Sequence, residues 1–441
     1  MSLLDLANQD GRAWARIGDS YGVTKKPREL DVRSHAAIPF IPMESVPQGG
    51  AYEPGFTLKS PDALTSGTYF ELGDVLVSKI TPSFENGKQA LVQSLPLPFG
   101  YATTEVIPLH PLDSSKHDPR LLFFYLLHPD VRHFVAERME GSTGRRRVPE
   151  GVLLDLPMPD IAPQEQTHAA DALELIQTAM AVEDKAAQNA QELKRAAMAR
   201  LFTRGLRGEA PKETEIGLVP ERWGVERLDS IAQVVSTRMA YSELEAAEAT
   251  QENSVRVIGI KVSDMNREGN ETVLAWAALE KTLDAKLAEY RCAPTGTIVF
   301  PKRGAAIATN KKRLTTTWSV FDPNVIGVVP GASINPGFLF HWFQSFDLKT
   351  ITEPGPTPQL NKKHLDPLLI PVPADTDEQR EIVAILDALD RKIALHHKKR
   401  AVLEELFQSL LHKLMIGEIC VADLDLSTLP VAPAQTLEAT A

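Results

Sequence analysis

Two cysteines in 441 residues, Cys292 and Cys420, leave no disulfide framework and no cysteine-rich zinc site. That scarcity suits a reducing cytosol in which both thiols stay free. No apolar run approaches the ~20 residues a bilayer requires, and the opening Met-Ser-Leu-Leu-Asp-Leu-Ala-Asn-Gln-Asp has no basic stretch ahead of an apolar one. A soluble, cytoplasmic chain that meets no membrane is therefore expected. An Asn/Asp-Pro-Pro-aromatic motif, a glycine-rich methyltransferase cofactor loop and a Gly-x-x-x-x-Gly-Lys-Ser/Thr phosphate loop are all missing. Neither methyl transfer nor ATP hydrolysis is built in. An excess of positive charge is missing too: 47 Lys+Arg face 58 Asp+Glu, a formal charge of -11. This excludes a uniformly basic coat but leaves room for local basic loops.

What is present is one passage written twice. Leu156-Pro-Met-Pro159 is followed by Glu165-Gln166 and a long Ala/Leu-rich run, and Ile370-Pro-Val-Pro373 by Glu378-Gln379 and another such run. The runs close on Gly208-Glu209 and Gly417-Glu418, and each copy is entered by a Trp and a basic-aliphatic pair, Trp14 with Arg16-Ile17 and Trp223 with Arg227-Leu228. Residues 1–160 and 211–373 carry short β-type runs bounded by Gly and Pro, such as Ile38–Ile41, Gly73–Val77, Val255–Ile260 and Val325–Val329. One helix is predicted in each, about Arg120–Glu140 and Pro336–Phe346. Residues 161–210 and 374–420 read as helical spacers, and 421–441, rich in Pro, Ala and Thr, as a disordered tail. A plan of globule, helix, globule, helix suits a bipartite target.

Both spacers keep a strict 3,4 alternation. Leu173, Ile176, Met180, Glu183, Ala187, Ala190, Lys194, Ala197 and Leu201 form one seam; Leu386, Leu389, Ile393, His396, Arg400, Leu403, Phe407, Leu410 and Leu414 form the other. A helix of ~40 residues spans on the order of 60 Å. Paired antiparallel with matched ends, Ala187 would face Arg400 and Glu183 would lie within reach of that guanidinium, a polar contact expected to fix register.

The passages Gln359-Leu-Asn-Lys-Lys-His-Leu-Asp-Pro-Leu-Leu-Ile-Pro-Val-Pro373 and Glu378-Gln-Arg-Glu-Ile-Val-Ala-Ile-Leu-Asp-Ala-Leu-Asp-Arg-Lys-Ile393, with Leu201–Trp223 and Gly73-Asp-Val-Leu-Val-Ser-Lys79, resemble the specificity (S) subunit of type I restriction-modification systems. The resemblance implies an α+β fold: two strand-rich target recognition domains, separated and followed by long helices that form an antiparallel coiled coil. It implies a non-catalytic subunit that reads a bipartite, asymmetric site in double-stranded DNA and binds two methyltransferase (M) subunits and restriction (R) endonuclease/translocase subunits. S-adenosylmethionine, ATP and magnesium would then belong to those partners, with no cofactor on this chain.

The candidate DNA contacts in the first domain are Arg145, Arg146 and Arg147, directly after the Gly141-Ser-Thr-Gly144 turn, and the strand-exit residues Lys79, Ser83 and Lys88. Those in the second are Lys302, Arg303, Lys311, Lys312, Arg313, Gln359, Asn361, Lys362 and Lys363. Arg matches the edge of guanine, Gln and Asn that of adenine, and Lys the phosphates. Where the first domain has Gly141–Arg147 the second has Thr357-Pro-Gln-Leu-Asn361, so the two loops are expected to read different half-sites. Two motifs are decoys. Pro159-Asp160 with Glu183-Asp-Lys185 mimics a nuclease signature, but its second half falls on a seam helix. His396-His397 point to different faces of a helix and find no third metal ligand. The reading from another class is an interaction scaffold, two adaptor domains on a coiled-coil rod with no DNA role.

Overall fold

The Ala/Leu-rich runs become helices of 42 and 41 residues, and the Gly- and Pro-bounded runs become strands of two to seven residues. The computed structural model describes residues 3, 13–142, 144–249, 253–352 and 358–419; the expected tail and Cys420 lie outside them. Five helices matter below: α1 (Pro119–Tyr125), α2 (Pro129–Glu137), α3 (Pro163–Arg204), α4 (Pro336–Ser345) and α5 (Thr376–Ile416). Among the described residues no helix is long and apolar enough to cross a membrane. The chain divides into two compact units, one holding the described residues up to Lys185 and from His397 onward, the other Ala186–His396.

In the first unit, strands Tyr21–Val23, Val106–Pro111, Val75–Ser78 and Gln89–Leu91 lie in that order as one antiparallel sheet. A second sheet runs Thr57–Lys59, Ile38–Ile41, Phe99–Ala102, Thr68–Glu71, with its two middle strands parallel. The second unit repeats the plan. Ala232–Val235, Val325–Pro330, Ile298–Pro301 and Arg313–Thr315 form the first sheet, extended by Val273–Leu274. Leu279–Asp284, Ser254–Ile260 and Trp318–Phe321 form the second, again with one parallel pair. The repeated sequence motifs meet each other in both. Trp14–Arg16 pairs with Pro157–Pro159, and Gly224–Arg227 with Leu369–Val372. Two-stranded ribbons tolerate these prolines because an edge strand has N–H positions to spare.

The Arg120–Glu140 helix predicted from spacing is two helices. Pro129 cannot donate to the helical ladder and pushes the preceding residue out of the α region, and His128 is extended (φ −60°, ψ 129°). His128 then caps α2: its Nδ1 accepts from the Asp130 amide at 3.2 Å, and its Nε2 meets His412 Nδ1 at 3.1 Å. Burial pushes its pKa down to about 4, with His412 and Arg132 adding to the fall and Asp130 opposing it. The unfolded chain therefore binds a proton near pH 6.5 that the folded unit refuses until about pH 4, so stability rises with pH across that window. Acidification through it is expected to cost the first unit about 2–3 kcal/mol. His128→Asn, which keeps a cap, should flatten the pH dependence of urea unfolding between pH 4 and 6.5.

The two long helices pack antiparallel. In the first unit Leu173, Ile176 and Met180 of α3 are buried with Phe407 and Leu410 of α5, Leu403 is half-buried, and the Phe124 ring meets Phe407 edge-on at 5.9 Å. In the second, Ala187 and Leu201 are buried, as is Leu386, and Leu389 and Ile393 are half-buried; Phe202 and Trp223 pack on Phe338 of α4. Each fully buried Leu, Ile or Phe contributes about 1.5–3 kcal/mol. The register differs from the matched-ends expectation. Glu183 meets Lys399 at 3.7 Å, while Arg400 meets Asp184 at 3.5 Å and Glu404 at 3.3 Å. The Arg400 side chain is 38% exposed, so it is a flank residue and not a buried peg. A guanidinium that can reach water along its own stem avoids the desolvation cost of entering the seam.

Candidate nucleic-acid interface

Each unit brings two distant segments together where a core strand leaves its sheet. In the first, Val75–Ser78 exits at Lys79, whose amide donates to the Glu105 carbonyl at 2.9 Å and whose carbonyl accepts from Val148 at 2.8 Å. The Thr81 amide donates to the Arg146 carbonyl at 3.1 Å. Glu140 and Arg147 exchange both backbone bonds, at 2.9 and 2.7 Å, and so close the loop between them. Gly141 is required there. Its φ is +125°, and an added Cβ would stand 2.7 Å from the Arg145 carbonyl oxygen. The expected strand-exit and triple-arginine clusters are thus one constellation.

The second unit builds the same crossing. Ile298–Pro301 exits at Lys302, whose amide donates to the Asn324 carbonyl at 2.7 Å and whose carbonyl accepts from Leu360 at 2.9 Å. The Gly304 amide donates to the Pro358 carbonyl at 2.9 Å, and Arg303 bridges Gln359. Bond for bond, Lys79 corresponds to Lys302, Glu105 to Asn324, Val148 to Leu360 and Arg147 to Gln359.

The side chains divide by what holds them. Arg145 is exposed. Arg146 is half-buried, its guanidinium 3.3 Å from the Ala136 carbonyl and 3.4 Å from Glu85. Arg147 makes a side-on fork to Glu105, Nε and Nη2 donating at 2.9 and 2.6 Å, which holds that carboxyl below its ordinary range. Lys79, Ser83 and Lys302 are half-buried, and Arg303 is exposed. Asn361 opens the short helical turn Lys362–Leu365, where Lys362 reaches Asp366 at 3.4 Å and Lys363 is exposed.

Four expected DNA-facing cations are engaged by the fold itself. Lys88 Nζ donates to the Met43 carbonyl at 3.1 Å, and Lys311 to the Asn266 side chain. Lys312 is 4% exposed and donates to the Phe346 carbonyl at 2.5 Å, with burial pushing its pKa down to about 8. Arg313 donates to the Lys312 and Met265 carbonyls, both at 2.8 Å. Sequence reasoning missed the acidic side of the first crossing, Glu85 and Glu105. The signal available was position: Lys79 and Lys302 both end an apolar strand, which marks the two crossings as copies.

Among the described residues, two trios of potential metal-binding side chains are knitted by hydrogen bonds and ion pairs. His128, Asp130 and His412 are linked as described, with Asp130 also accepting from the Leu3 amide at 2.7 Å. His341 Nε2 lies 2.8 Å from Asp387, and Asp390 is paired with Lys194.

Fold and crossings together define a chain of two pseudo-repeated α+β heads carried on an antiparallel pair of long helices. A family model described as "Type I restriction modification DNA specificity domain" matches residues 220–405. The chain is 34% identical over 161 residues to the Type I restriction enzyme EcoAI specificity subunit of Escherichia coli, covering 36% of this chain but only 26% of that protein. It is 23% identical over 367 residues to the putative type I restriction enzyme MjaX specificity subunit of Methanocaldococcus jannaschii, covering 79% of each. The fold is that of the crystal structure of a type I restriction-modification system S subunit from M. genitalium, with a TM-score of 0.54, 14% identity and 92% and 97% of the two chains covered. Residues 220–405 are thus similar to the DNA specificity domain of type I restriction-modification systems, and the chain has the fold of a type I S subunit.

Proposed function

We propose that this chain is the DNA-reading subunit of a type I restriction-modification complex in the cytoplasm, recognising a bipartite, asymmetric duplex sequence and directing partner subunits to it. The observation that carries the reading is the duplicated crossing: the same backbone construction in both units, dressed with different base-reading side chains. Arg145 and Arg147 present guanidinium groups in one; Lys302, Arg303, Gln359 and Asn361 supply cations and amides in the other. Loops of this kind enter a major groove and read base edges, while neighbouring cations hold phosphates. The antiparallel helices set the gap between half-sites.

Partners follow from the repeat and from what the helices leave uncovered. Val182, Val402 and Leu406 in the first unit, and Leu193, Ile385 and Leu395 in the second, are exposed apolar side chains on α3 and α5. They support docking of helical partners, and a pseudo-repeated chain offers two related surfaces, suited to two copies of one methyltransferase subunit. That subunit would bring S-adenosylmethionine, and an endonuclease/translocase subunit would bring ATP and magnesium.

Selection of duplexes from a random pool by the chain assembled with its methyltransferase partner should return two conserved blocks at a fixed distance. A scaffold without a DNA role would return no motif. Replacing Arg145, Arg146 and Arg147 together by Ala should weaken binding through the first block and reduce the slope of log K against log salt by roughly one for each phosphate no longer neutralised. Unchanged affinity and slope would remove the loop from the interface.

A further inference from the structure

We infer that Arg147 and Gln359 are the base-reading pair of the two units, Arg147 contacting a guanine in one half-site and Gln359 an adenine in the other. The inference rests on the proposed DNA-reading function and adds which residue reads which purine.

Both residues occupy one backbone position in duplicate. Arg147 lies between two bonds to the strand-exit segment, Thr81 N–H to the Arg146 carbonyl at 3.1 Å and Val148 N–H to the Lys79 carbonyl at 2.8 Å. Gln359 lies between their counterparts, Gly304 N–H to the Pro358 carbonyl and Leu360 N–H to the Lys302 carbonyl, both at 2.9 Å. A side chain pinned on both sides at its backbone is presented with little freedom left to lose, which suits discrimination between bases more than loose phosphate binding.

The chemistry at the position differs in the way purine recognition demands. Glu105 takes the Nε–Nη2 edge of Arg147, so the guanidinium plane is fixed while the Nη1–Nη2 edge keeps two convergent N–H donors. The Arg147 side chain is 60% exposed and that of Glu105 23%. Two convergent donors match the O6 and N7 acceptors of guanine. Gln359 offers one amide donor beside one carbonyl acceptor, the complement of adenine N7 and N6. At the counterpart of Glu105 the second unit has Asn324, a neutral residue where no guanidinium needs orienting. Glu105 is therefore a positioning residue for Arg147.

The test uses the full chain assembled with its methyltransferase partner and reads the sequences enriched from a random duplex pool. Wild type should yield a guanine in one block that becomes degenerate in Arg147→Gln, its preference falling about 5- to 150-fold, the range of one bidentate base contact. The other block, untouched, reports that the variant is folded and assembled. Arg147→Lys keeps the charge but not the fork, so it should lose the guanine preference while holding overall affinity within a few-fold. Glu105→Gln should weaken preference at that same position, and Gln359→Arg should change one adenine position in the other block. If Arg147→Lys retains the guanine, or Arg147→Gln lowers every position alike, Arg147 is a phosphate-binding residue and the inference is overturned while DNA reading stands. If wild type enriches no motif, the proposed function itself fails.

Discussion

Replacing Lys194 by Ala should destabilise the second unit by about 3–5 kcal/mol, the loss typical when one partner of a buried ion pair is removed. Lys194 is only 7% exposed, and its ammonium stands 2.6 Å from both Asp390 carboxylate oxygens and 2.6 Å from Gln344 Oε1. It ties α3 to α5 and to α4 at one point. Truncation leaves a carboxylate in a nearly dry seam with no cation, and that stranded charge accounts for most of the cost. The double replacement Lys194→Met with Asp390→Leu strands no charge and fills the volume with carbon, so it should recover most of the loss. Urea unfolding of wild type, Lys194→Met, Asp390→Leu and the double variant gives the coupling energy directly. If Lys194→Ala costs under 1 kcal/mol, the pair is solvated and has no structural weight.

That node shows how far a sequence carries the fold. The 3,4 alternation puts Lys194 in the seam, because periodicity reports which face a residue lies on. It does not report what stands opposite: Asp390 lies one residue beyond Leu389, outside the predicted seam, and the Glu183–Lys399 and Asp184–Arg400 pairs follow a register that matched helix ends do not give. Pairing of helices is set by the packing of whole faces, which a one-dimensional pattern does not contain. The interface divides the same way. Glycines beside a run of arginines mark a turn carrying charge, and Gly141 and Arg145–Arg147 meet that expectation in conformation. Lys312 and Arg313 look equally basic on paper, yet Lys312 Nζ donates to the Phe346 carbonyl, and Arg313 Nη1 and Nη2 donate to the carbonyls of Lys312 and Met265. Residue type announces a donor, and only the fold decides whether a backbone carbonyl has claimed it.

The repeated Glu-Gln motif leads to the second large effect. Gln379 is fully buried; its Oε1 accepts from the Asn335 amide at 2.7 Å, and its Nε2 donates to the Pro373 and Ser333 carbonyls at 3.0 and 3.3 Å. Gln166, 4% exposed, makes the same three hydrogen bonds in the first unit, with the Asp118 amide and the Ile161 and Lys116 carbonyls at 2.9–3.0 Å. Asp118 and Asn335 are the caps of α1 and α4, so each glutamine fastens a domain helix to the start of a long helix. Gln379→Ala leaves one amide and two carbonyls without partners, and at about 1–3 kcal/mol for each buried group stranded, partly relieved by water entering the gap, a loss of about 3–5 kcal/mol is expected. Gln379→Glu keeps the acceptor but loses the donor and buries a charge, so it should be no better than Ala. Hydrogen exchange would localise the damage: faster exchange at Asn335–Leu339 in one variant, at Asp118–Leu122 in Gln166→Ala, each sparing the other unit. The enriched DNA motif should stay the same in every variant that still folds. A changed motif with unaltered stability would mean that the duplicated glutamines read DNA and do not clamp the helices.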